Sequence, residues 1–115
     1  MGTKAASQTN EDIIGRSLNM AGLAAFQTGV IVSRTIIDRK TGTVTLFAFD
    51  KGQALSEHSA PFDALVLGLE GEGEVMIDGR AHRVATGEMI IMPAGHPHSL
   101  KALIPFKMAL VMIRS

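Results

Sequence analysis

Four histidines, His58, His82, His96 and His98, and the carboxylates near them are the side chains with the most chemistry to offer. No cysteine is present, so disulfides, thiolate nucleophiles and cysteine zinc sites are excluded together. His98 has the most informative setting. It leaves a turn made by Pro93 and Gly95, directly after the apolar run Met89-Ile90-Ile91-Met92. That run is too short for a helix and has breakers on both sides, so it reads as a buried strand. An imidazole presented from the end of a rigid strand is held still enough to ligate a metal or move a proton. His96 precedes it by two residues, but Pro97 lies between them, which predicts His96 at a rim or exposed. His82 follows a hairpin turn and reads as a surface residue.

The elements that position these residues are mostly strands. Residues 1–9 are small and polar and read as a disordered tail. Asn10 is a candidate helix cap with Glu11 and Asp12 in the first turn, and Ile13, Ile14, Leu18, Met20, Leu23 and Phe26 predict one or two short helical turns. From Val30 the period changes to two, and β-branched residues run to Asp38. Further strands are expected at Thr43–Phe49, Gln53–Ser59, Ala64–Leu69, Val75–Ile77, Arg80–Val84, Met89–Met92, Ser99–Ala102 and Phe106–Ile113. Asp78-Gly79 is the strongest hairpin signal among their connections. About nine short strands, glycine-rich turns and no crossover helices predict an all-β closed barrel or jelly roll and exclude a parallel α/β sheet.

Composition bounds the partners. A chain of 115 residues with 46% hydrophobic content supports one core and one domain, here residues 10–115. Eleven basic and eleven acidic side chains cancel without a like-charged run, which argues against nucleic acid. Five Phe and no Trp or Tyr argue against a stacking platform for bases or sugars. No apolar run reaches membrane-spanning length and Met1–Ser7 does not resemble a signal peptide, so no membrane partner and a cytoplasmic location are expected.

The stretch from Gly87 to His98 resembles the second motif of the cupin family, G(X)5PXG(X)2H(X)3N: Gly87, Pro93, Gly95 and His98 fall in place, and Ala102 stands where the motif has asparagine. The first motif, G(X)5HXH(X)3–4E(X)6G, is matched at Gly52, His58 and Gly71. Its second histidine is replaced by Ala60 and its glutamate by Ala64, with Asp63 one residue earlier. Residues 72–86 form the short spacer usual in small bacterial cupins. The resemblance implies a cupin-type double-stranded β-helix with a short N-terminal helical segment and a site inside the barrel.

On that footing the candidate metal ligands are His58, His98 and Asp63, with Glu57 and His96 behind them. Two imidazoles and one carboxylate can hold a divalent ion (iron, manganese, zinc or nickel) with positions left open. The alternative is that both histidines line a pocket, hydrogen-bonded to each other or to Asp63. Period-two alternation turns Asp63 to the opposite face unless a bulge at Pro61 intervenes. Ala60, Met92 and Met89 are expected to line the pocket.

The function expected is binding of a small molecule in the barrel, with or without a divalent metal. The alternative is a metal-dependent enzyme, a dioxygenase or an isomerase or epimerase of a small oxo-acid or sugar. There a carboxylate or His96 would move protons. A third reading is a regulatory or assembly role. The resemblance also implies a homodimer, and apolar residues on both faces of Val30–Ile37 point to a covering partner for that strand.

Overall fold

A computed structural model describes residues 12–114. Nine strands form two antiparallel sheets. They are β1 (Ile31–Arg39), β2 (Gly42–Phe49), β3 (Ala54–His58), β4 (Ala64–Glu70), β5 (Glu72–Ile77), β6 (Arg80–Ala85), β7 (Met89–Met92), β8 (His98–Ala102) and β9 (Phe106–Ile113). The larger sheet has the order β1-β2-β9-β4-β7 and the smaller one β3-β8-β5-β6. The expected tail and the Asn10 cap lie outside the described residues. A helical turn ends at Asp12–Ile13, and a 3-10 helix spans Met20–Leu23, where the Asn19 side chain accepts a hydrogen bond from the Ala21 amide.

Strand alternation sorts the apolar residues to two faces of the larger sheet. Phe49, Val66, Met92, Phe106 and Met108 point inward and meet Val75, Val84 and Leu100 of the smaller sheet to form the main core. On the outer face, Leu46, Ala48 and Ala109 pack under Leu23, Ala24 and Phe26 of the N-terminal segment. Val32 and Ile36 of β1 belong to that second cluster, so the chain itself covers part of this strand, while Val30 and Ile37 stay 44% and 47% exposed. Lys107 clasps the segment, donating to the Ala21 carbonyl at 2.8 Å with its ammonium 4.8 Å from the Phe26 ring centre.

The chain passes from one sheet to the other with a single residue, Gly71, between β4 and β5. Its φ of 75° favours glycine, and a Cβ there would overlap the Pro105 carbonyl oxygen. Gly73, before the expected strand start at Val75, already lies in β5, beneath the Phe106 ring. The Asp78-Gly79 hairpin forms as expected, both residues having positive φ (52° and 78°), with Ile77 opposite Arg80.

Candidate functional site

His58 and His98 meet because β3 carries one extra residue. Leu55 pairs with Leu100 and His58 pairs with His98, so three steps along β3 match two along β8. Regular alternation would turn His58 away from the side occupied by Leu55. The bulge at Ser56-Glu57 restores it to that side, opposite His98. This irregularity lies between Leu55 and His58, before Pro61, where a bulge would have been needed to turn Asp63 inward. The local gain is a hydrogen bond within the bulge, His58 Nδ1 to the Ser56 carbonyl at 2.9 Å.

The two rings stand edge to face, with centres 4.5 Å apart and planes at 73°. His98 is 3% exposed and His58 is exposed, so the pair runs from the core to the edge strand of the smaller sheet. His98 Nδ1 lies 3.2 Å from the His96 carbonyl oxygen. A carbonyl only accepts, so each Nδ1 carries the proton in these bonds, leaving Nε2 as the free ring nitrogen. Arg34 Nε is the only buried side-chain nitrogen or oxygen without a partner among the described residues. The unpartnered Nε2 of His98 is therefore not fully sealed, although the residue as a whole is buried. Burial, and after it the neighbouring His58, holds the His98 imidazole below its ordinary titration range, while the His96 carbonyl acts in the opposite sense. Burial thus favours the uncharged form of His98, whose Nε2 then presents a lone pair.

The other candidates are placed elsewhere. Asp63 lies outside, before the inward-facing Ala64, and its Oδ1 accepts from the Ala94 amide at 2.9 Å, fixing the turn after β7. Glu57 is exposed in the bulge. His96 is exposed and engages Asp78, Nδ1 to Oδ2 at 2.6 Å. Ala60 is half-buried, and its carbonyl accepts from the Gly95 amide. Met92 is part of the main core, whereas Met89 is 55% exposed on the outer face. Positions 89 and 92 are an odd number apart, so one strand cannot turn both to the same pocket.

No three histidines, aspartates or glutamates converge as a metal-holding group among the described residues. A centre of three histidines and one glutamate therefore does not fit these side chains. Two imidazoles alone would leave most of the coordination sphere to water or a bound molecule.

His82 is exposed, as its place after the hairpin turn predicts, and Arg80, which no motif singled out, stands beside it. The β5–β6 register puts His82 opposite Val75 and Arg80 opposite Ile77, and Ile77 in turn pairs with His98. Partners directly opposite share a face, so Arg80 and His82 lie on the inner side, exposed because β6 is the sheet edge. The signal was present: a two-residue turn at Asp78-Gly79 fixes both pairings by counting outward.

A family model described as Cupin domain matches residues 45–113, more than half of the chain. A conserved protein of unknown function from Streptococcus pyogenes is similar in structure, with TM-score 0.84 and 39% identity, over 88% of this chain and 89% of that one. A cupin superfamily protein from Desulfitobacterium hafniense superposes with TM-score 0.84 at 24% identity, over 88% and 93% of the two chains. A cupin 2 conserved barrel domain protein from Leptotrichia buccalis gives TM-score 0.82 at 37% identity, over 84% of this chain and 47% of that one. No curated protein matches. With two antiparallel sheets arranged as in these barrels and more than half of its length matched by the family model, the chain belongs to the cupin domain family.

Proposed function

We propose that this cupin binds a small molecule at the open end of its smaller sheet, with the His58–His98 pair as the recognition element. The observation that carries the reading is the arrangement of the four ring nitrogens. Both Nδ1 atoms are committed to backbone carbonyls, and the two Nε2 atoms remain for a ligand. Saturation-transfer NMR on a mixture of small polar metabolites tests this. At least one compound is expected to receive saturation from the protein and to lose it in His98→Ala. Transfer that survives unchanged in the His58→Ala, His98→Ala double variant would refute the assignment.

A second reading, a metal-dependent oxygenase or isomerase, is favoured by one feature. Histidines that ligate metals commonly donate their other ring nitrogen to a carbonyl or carboxylate, as both do here. Metal analysis of untagged protein separates the readings. A stoichiometric divalent ion lost in His98→Ala supports the enzyme, and binding without metal supports the first.

Self-association through the uncovered part of the larger sheet belongs to the same proposal. Met89, Ile91 and Ile113 are 55%, 52% and 60% exposed, and with Leu65 and Val111 they line one continuous outer hollow. Arg39 and Asp63 flank Ile113 on opposite sides. A two-fold axis near Ile113 would set the arginine of each copy toward the aspartate of the other, which favours a second copy as occupant.

A further inference from the structure

The inner side of the smaller sheet carries a row of four residues in register: His58, His98, Ile77 and Arg80, one from each strand. Arg80 is the only described arginine whose guanidinium makes no hydrogen bond or ion pair. Arg16, Arg34, Arg39, Arg83 and Arg114 are each engaged by a carbonyl or a carboxylate. No acidic side chain stands in the row. The nearest in sequence, Asp78, is held by His96. One end of the row thus offers lone pairs that accept hydrogen bonds, and the other a permanent cation with a planar donor fork.

We propose that the site takes a hydroxylated carboxylic acid, whose hydroxyl groups donate to Nε2 of His58 and His98 and whose carboxylate pairs with Arg80. Each Nε2, its ring's Nδ1 being committed to a backbone carbonyl, is placed to accept from an alcohol, and the carboxylate falls to the Arg80 cation, which fixes the orientation. His98 and Arg80 are two strand spacings apart, about 10 Å between backbones. Both side chains reach inward along that span, leaving room for a chain of a few carbon atoms between hydroxyl and carboxylate. The Arg–carboxylate pair supplies charge-assisted, bidentate recognition that a neutral sugar would forgo. Ile77, packed against the core, gives the middle of the row an apolar floor.

The inference rests on the His58–His98 reading, and the test keeps the two apart. Protein with 15N-labelled imidazoles is titrated at pH 7.5 with D-gluconate, which has both groups, D-sorbitol, which has hydroxyls alone, and hexanoate, which has the carboxylate alone. Gluconate is expected to bind at least about tenfold more tightly than either, about 1.4 kcal/mol, and to shift the Nε2 signals of both histidines. Arg80→Gln, at an exposed position, is expected to reduce gluconate to the affinity of sorbitol while leaving sorbitol unchanged. Equal binding of sorbitol and gluconate with both Nε2 signals shifted would overturn the carboxylate assignment and leave the histidine site standing. Undiminished gluconate binding by Arg80→Gln would do the same. Unmoved imidazole signals with all three compounds would overturn both.

Discussion

Gly71→Ala is expected to be the most damaging small substitution at the junction of the two sheets, and Gly79→Ala supplies its control. Both glycines have nearly the same φ, 75° and 78°. An alanine at either therefore pays the left-handed backbone penalty, about 1–2 kcal/mol. Both also lose the same unfolded-state freedom, which cancels in the comparison. They differ in surroundings. A Cβ at Gly79 meets nothing within 4 Å, whereas at Gly71 it would overlap the Pro105 carbonyl. Relieving that overlap means moving backbone, on the scale of overpacking, about 1–3 kcal/mol more. The expected losses are thus about 1–2 kcal/mol for Gly79→Ala and about 2–5 kcal/mol for Gly71→Ala. Urea unfolding monitored by circular dichroism, with the slope checked for constancy, measures both. Equal losses would show that the β4–β5 corner is not packed against Pro105, and the described junction would be wrong.

Other outcomes follow from the same coordinates. His98 titrates below the ordinary imidazole value, so its contribution is complete above about pH 6.5 and is lost as pH falls from there toward its own lower value. The midpoint of urea unfolding should fall between pH 7.5 and 5.5 by less in His98→Leu than in the parent protein, and an equal fall would refute the placement. In Lys107→Met the hydrogen bond to Ala21 and the cation over Phe26 are lost, at about 1–3 kcal/mol. Amide exchange at Ala24 and Leu46 should quicken, and unchanged exchange would refute the clasp. Light scattering at micromolar concentration should give twice the chain mass for the parent and one chain mass for Ile91→Glu, Ile113→Glu. A monomeric parent would remove the proposed self-contact.

The strands were legible because their signals are local: β-branched runs, breaker pairs and the Asp78-Gly79 turn each act within a few residues. β5 starts at Glu72 rather than Val75: Gly73 continues the strand with the Phe106 ring of β9 where its Cβ would stand, a contact no local pattern announces. The pairing of His58 with His98 was reached through motif spacing, yet its cause, the extra residue at Ser56-Glu57, depends on register against β8 and leaves no mark in β3 alone. Asp63 illustrates the opposite case. Its parity already turned it outward, and the turn amide of Ala94 gives it a partner there. His82 is exposed as expected, and the face that it shares with Arg80 follows from the hairpin count, which the surface reading alone did not specify.

The extra residue in β3 divides that short strand into two segments with independent phase. Leu55 answers to the hydrophobic interior, and His58 answers to the histidine opposite it. Side chains at Ala54 and Leu55 can therefore be exchanged to tune packing without rotating the imidazole out of place. Conversely, the sequence beyond Glu57 can diversify the rim while the interior keeps its parity. A barrel built this way can acquire new ligands by changing one end of one strand.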